Sequence, residues 1–336
     1  MKKLFSCFVC IFISIVCIFG FSACGGEKSE SAVNLVAVEA NSVGIMNDVD
    51  YYVVPEPAAS AKVKAISELN FAGDLQSLYG GEKGYPQAVV VAKNNLLGTK
   101  VLTQFLTELS TSHEWLMSND NSIETIVNSI QSHLTSGLEP SIKVGNLTKS
   151  VIENCGINFV SAKDSKSEIV AFMEKFNSVS ENSFGTPSDT FFYDGVEGTA
   201  EYTQKISVYA PDGAPALGLA KLMAEDGWDN IEYHIVDPGT VQTLVGGASP
   251  KADVCVLPVN VAVKLLGNAQ NYKLIGTLTH GNLYLLSKNN TKITTDSIKD
   301  LKGKTVGVIN LAQVPGLTFK LILKNYGIEF TESYND

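Results

Sequence analysis

Two short turns carry the residue types best suited to holding a ligand. The first is Pro211-Asp212-Gly213-Ala214-Pro215, and the second is Gln313-Val314-Pro315-Gly316-Leu317-Thr318. Each sets a proline near the first position of a helical pattern, among small neighbours. Proline fits there because its missing N–H would have no partner anyway. The first turn of a helix leaves unpaired N–H donors and a partial positive charge. Such an end suits a carboxylate, sulfonate, phosphate or polar ring edge. One helix dipole contributes only about 0.3–1 kcal/mol when exposed, whereas micromolar binding requires about 8 kcal/mol. Enclosure, direct hydrogen bonds and apolar burial must supply the rest. Asp212 opposes an anion if it points at the ligand and is neutral to it as a turn or cap residue.

Other polar residues stand where strands end. Glu56 follows the run VDYYVVP and suits pairing with an amine or ring N–H, or serving as a charge at a helix start beside Pro57. Asn260 follows Pro258, and Thr279, His280 and Asn282 surround a break in an apolar run. His280 reads as a wall or hinge residue rather than an acid–base catalyst. Tyr51, Tyr52 and Tyr209 offer flat faces, although Tyr51 and Tyr52 point to opposite sides of a strand. There is no nucleophile elbow, phosphate loop, cysteine pair or dinucleotide fingerprint. His113 and His133 have no third ligand nearby, and Cys155 and Cys255 are distant from each other. These observations predict no catalytic residue, no metal and no cofactor.

The elements that must position these residues alternate. Strand patterns cover Val33–Val38, Asp50–Val54 and Ala88–Lys93, and a helix is expected over Ala58–Leu69. From Thr99 to Phe176 the periodicity is helical, with apolar residues every three or four positions. Ser178–Gln204 is rich in Ser, Gly, Asn, Asp and Pro and reads as a linker. Then strands at Ile206–Ala210, Ile231–Val236, Asp253–Leu257, Tyr272–Ser287 and Lys304–Ile309 alternate with helical stretches. This alternation predicts an α/β chain with parallel sheets flanked by helices.

The chain has 336 residues, 45% hydrophobic and 18% charged, enough for two globular halves. A net charge of −10 argues against nucleic acid as a partner. Lys2 and Lys3 precede an apolar run from Leu4 to Phe19, the layout of an export signal. Residues 1–23 are read as that signal, 24–32 as a polar tether.

Phe21-Ser22-Ala23-Cys24 resembles the lipobox of bacterial lipoproteins, with Phe21 where Leu is usual. The resemblance implies acylation of Cys24 and a body held at the extracytoplasmic face of the cell membrane. Further segments resemble the substrate-binding proteins of ABC importers, in the nitrate/sulfonate/taurine-type family. They are YAPDGAPALGLAKLM, ADVCVLPVNVAVKLL, GTLTHGNLYLLSK, DLKGKTVGVINLAQVPGLTFKLIL, VDYYVVPEPAAS and YPQAVVVAKNNLL. That family implies a two-lobed periplasmic-binding-protein type II-like fold, each lobe a mostly parallel sheet flanked by helices. It implies a monomer that closes on a small polar or anionic organic solute and meets an ABC permease and its ATPase.

The order of the segments departs from the family. Those resembling 205–336 come first there and those resembling 33–192 second. The order reads as a circular permutation, with an assembly rearrangement as the other reading. Lobe 1 is then expected from 85–192 and 205–288 joined by a linker at 193–204, and lobe 2 from 33–84 and 289–336. Deletion of Tyr326–Asp336 is expected to unfold the split lobe first. An enzyme on the same two-lobed fold, or an inactive or sensing binder, is the competing reading.

Overall fold

A computed structural model describes residues 31–80, 84–180, 184–225 and 229–334. The expected signal 1–23, Cys24 and the tether as far as Glu30 lie outside the described residues. Among the described residues no helix is long and apolar enough to cross a membrane.

The elements follow in chain order. First come strands β1 (Val33–Ala37) and β2 (Tyr51–Pro55), helix α1 (Ala58–Ala65), β3 (Asn70–Asp74), α2 (Leu75–Tyr79) and β4 (Pro86–Lys93). A helical stretch contains α3 (Lys100–Ser110), α4 (Ser112–Met117), α5 (Ile123–Gln131) and α6 (Lys149–Asn154). Then come β5 (Ile157–Ser161), α7 (Ala162–Asn177), β6 (Ile206–Pro211), α8 (Ala214–Gly218), α9 (Ala220–Ala224) and β7 (Ile231–Val236). The remainder is β8 (Val254–Pro258), α10 (Val259–Leu266), β9 (Tyr272–His280), β10 (Leu283–Ser287), β11 (Thr305–Val308), α11 (Val314–Asn325) and β12 (Phe330–Ser333).

The strands form two six-stranded sheets, in the orders β12-β1-β11-β2-β10-β3 and β5-β9-β4-β8-β6-β7. Both are mixed, the first with only β10 reversed and the second with half or more of its pairings antiparallel. In the first, β12, β1, β11 and β2 are parallel and β10 runs against β2 and β3. In the second, β7, β6 and β8 are parallel, and β4 and β9 bring antiparallel pairing. The reason lies in the two places where the chain changes sheet. It passes from β3 and α2 into β4, and returns from β9 into β10. A strand arriving from the other sheet has no helical crossover to restore a parallel direction.

The return falls at Gly281-Asn282. Leu283–Ser287, expected with 205–288, therefore joins the first sheet, where Leu283 lies opposite Pro55. The two crossings touch, Gly281 donating its N–H to Tyr85 O at 2.9 Å. Gln76 braces both, its Oε1 accepting from Tyr85 Oη and Leu283 N at 2.9 Å each.

The apolar runs explain the layers. Ala88–Ala92 of β4 is buried on both faces, as a central strand requires. One cluster of buried side chains includes Val53 and Leu285 of the first sheet with Val89 and Leu257 of the second. An aromatic seam bridges the halves. Phe172 of α7 stacks on Tyr85 with ring centroids 5.7 Å apart, meets Tyr79 edge-on at 5.9 Å, and packs on Phe176 at 4.2 Å. The expected linker 193–204 is irregular but fastened: Tyr193 N–H donates to Leu274 O at 2.9 Å and Gly198 N–H to Thr103 Oγ1 at 2.8 Å.

Candidate functional site

Helix starts differ in a way that bears on binding. Thr99, Ser122, Thr148 and Ser161 cap α3, α5, α6 and α7, each accepting an N–H three residues on. Such caps contribute about 1 kcal/mol each. The helices that begin where β8 and β11 end have none: α10 starts after Pro258 and α11 after Gln313 without a side-chain cap. Their first N–H groups are left to other partners.

α10 belongs to one sheet and α11 to the other, and they meet. Asn260 Nδ2 donates to Gln313 Oε1 at 2.8 Å. Asn260 is only 3% exposed, and its Oδ1 has no hydrogen-bond partner. Thr318, fully buried in α11, has an unpartnered Oγ1 as well. A buried polar atom left unsatisfied costs about 1–3 kcal/mol. Val314, Pro315 and Gly316 are buried. Only glycine fits at 316, because an added Cβ would stand 1.8 Å from Leu311 O.

The first turn is placed differently. Asp212 Oδ2 accepts the N–H of Ser141 at 2.6 Å, so the carboxylate faces the loop before α6, while its Oδ1 is buried without a partner. Gly213 takes φ +117°, which favours glycine, and precedes α8, only five residues long. Ala214 is buried and Pro215 partly exposed. No hydrogen bond joins this turn to Gln313–Thr318 among the described residues.

Glu56 and Asn282 form a second polar group, at the crossing. Glu56 donates its N–H to Asn282 O at 2.8 Å, and Asn282 Nδ2 donates to Glu56 O at 3.2 Å. The Glu56 carboxylate turns back to its own helix, accepting Ser60 N at 3.0 Å and Ser60 Oγ at 2.6 Å. It therefore acts as the charge at the start of α1. Burial raises its carboxyl above the ordinary value, opposed by hydrogen bonds from Ser60 and Asn154. Burial also raises the Cys155 thiol, and the nearby Glu56 adds to this. Asn282 Oδ1 is another buried atom with no partner.

Stability should carry the mark of Glu56. Its folded pKa exceeds its unfolded one, so folding takes up a proton between the ordinary carboxylate value and the raised folded value. The stabilisation is full below the ordinary value and is lost as pH rises through the folded value. Glu56→Gln is expected to flatten that part of the pH dependence in thermal melts taken from acid to neutral pH. An unchanged slope would remove Glu56 as its source.

Thr279 and His280 serve the sheet. Thr279 Oγ1 accepts Ala88 N–H at 3.2 Å where the β4–β9 register shifts. His280 is buried, its N–H donates to Gly156 O at 2.8 Å, and its Nε2 stands 3.7 Å from Glu168 Oε2. Ser60, Ser141 and Asn154, which contact nominated residues, carry no local signal in the sequence beyond Ser60 lying one helical turn after Glu56. Among the described residues no group of three His, Cys, Asp or Glu could hold a metal ion. No family model matches the chain, and neither a curated protein nor a solved structure shows significant similarity to it.

Proposed function

We propose that the chain is a solute-binding protein that closes two α/β halves on a small polar organic molecule and hands it to an ABC importer. The observation that carries this reading is the meeting of α10 and α11. Two uncapped helix starts, one from each sheet, are joined by Asn260 and Gln313, with unpartnered Asn260 Oδ1 and Thr318 Oγ1 buried beside them. Two adjacent crossings between the halves would let one turn on the other. The lipobox-like start and the family resemblance of six segments support lipid anchoring at Cys24 and a permease partner. The pairing of Val33 with Phe330 supports the permuted order, because the two outer segments of the chain lie side by side.

The solute class follows from the donors. The chain contains no arginine, its 25 basic residues all being lysine. A guanidinium fork, the usual bidentate clamp for carboxylate or sulfonate, is therefore not part of recognition. Backbone N–H groups and the amides of Asn260 and Gln313 fit a neutral or singly charged solute with both donors and acceptors, such as a pyrimidine-like ring. No chemistry on the solute is required.

A thermal-shift screen of sulfonates, nitrate, pyrimidines, flavins and aromatic carboxylates tests the reading. A ligand at 100 times its Kd raises stability by about 2.7 kcal/mol. Asn260→Ala should abolish the shift of a true hit with little change in the melting point of the free protein. A folded sample that no compound stabilises would defeat the proposal, and turnover of a hit would favour the enzyme instead.

A further inference from the structure

A groove of about 470 Å³ lies at the outer edge of the first sheet, away from the α10–α11 junction. Its lining includes Phe71 and Asp74 of β3, Ser77 of α2, Tyr284 of β10, Thr294, and Asn154 from the other half. That volume is within the range of small-molecule sites. Phe71 and Tyr284 meet edge-to-face with centroids 5.4 Å apart at 84°, and offer an aromatic surface.

The lining carries one carboxylate, Asp74, and one ammonium, Lys292. Asp74 Oδ1 accepts Gln76 N, Gln76 Nε2 and Ser77 N, whereas Oδ2 accepts Ser77 Oγ at 3.0 Å. A carboxylate oxygen with one donor keeps capacity for another. Burial pushes the Tyr284 hydroxyl up, and the Asp74 and Glu56 charges add to this. The one cation in the lining, Lys292, donates its ammonium to Phe71 O.

We propose that this groove binds a small primary amine with a flat apolar body. The ammonium bonds to Asp74 Oδ2 and the Asn154 side chain, and the ring lies on Phe71 and Tyr284. This site is independent of the α10–α11 junction and stands or falls separately.

The probe is 2-phenylethylamine, with 2-phenylethanol and 3-phenylpropionate as the uncharged and anionic counterparts, titrated into the full chain by calorimetry. Saturable binding of the amine is expected, the alcohol binding about 10- to 100-fold more weakly through loss of a charged hydrogen bond. The propionate should not bind. Ser77→Phe and Thr294→Trp, both at exposed positions, should each block the amine while the protein keeps its circular dichroism. Amide shifts of Phe71, Ser77 and Asn154 should follow the titration in the unmodified protein. The proposal is overturned by absence of saturable binding at millimolar amine, by equal binding of the alcohol, or by shifts confined to other residues. Competition between the amine and a solute that needs Asn260 would equally overturn it.

Discussion

A chain ending at Asn325 will lose about 3–5 kcal/mol of stability, and the loss will appear first in the half built on the β12-β1-β11-β2-β10-β3 sheet. The reason starts with an ion pair buried at its lysine end and open to solvent at Glu332. Lys320, on α11, is only 3% exposed, and its Nζ donates to Glu332 Oε2 of β12 at 2.6 Å. Removing the partner leaves an ammonium in an apolar layer with no opposite charge. The truncation also removes Ile328, now 3% exposed within the core, and makes β1 an edge strand. Limited proteolysis should cut within 33–80 and 283–325 before cutting β4–β9. Glu332→Gln keeps the strand and isolates the charge, so it should cost less than the truncation. Equal protease resistance of the truncated and full chains would refute this account.

Phe172→Ala is the second large effect, at about 3–5 kcal/mol. The side chain is 1% exposed and touches both halves, through Tyr79 of α2 and Tyr85 at the crossing. Its loss leaves a cavity between elements that cannot easily collapse, because Tyr85 Oη is held by Gln76. Urea denaturation should show a lower midpoint and, if the halves separate, a broadened transition. Phe172→Leu should recover more than half of the loss. A change below about 1 kcal/mol would mean that the seam does not couple the halves.

Much of this architecture is legible in short apolar runs. VNLVA, YYVVP and AVVVAK announce β1, β2 and β4 through β-branched residues and flanking breakers. β3 is not legible because NFAGD carries Gly and Asp, poor strand formers held in place by β10 alone on one side. β5 hides in a helical stretch, and its pairing with β9 comes from a strand more than a hundred residues away. The sheet to which β10 belongs is decided by Val54 and Asp74, which lie opposite Tyr284. No local pattern could reveal that choice.

The candidate site divides in the same manner. Asn260 and Gln313 are each suggested by a turn beside a proline, but their 2.8 Å contact exists only once two sheets come together. Thr279 looks available in sequence and is engaged by the N–H of Ala88 instead, because the β4–β9 pairing shifts register there. Asp212 is committed to Ser141, on a loop 71 positions earlier. Glu56 is the intermediate case. A carboxylate beside a helix start is readable, whereas its enclosure by Asn154 and Asn282 is not.

The long separation between paired strands also shapes how the protein is made. Asn34 of β1 lies opposite Thr305 of β11, 271 positions further along the chain. At about 5–20 residues per second, a ribosome needs roughly 15–55 s to supply that partner. Throughout that interval β1 is an apolar strand with no partner and β2 waits nearly as long for β10, while β4 to β9 can already assemble into a sheet of their own. The nascent chain therefore passes through a half-built state that exposes its earliest segments longest, and a holding chaperone would find its binding sequence in VNLVA and YYVVP.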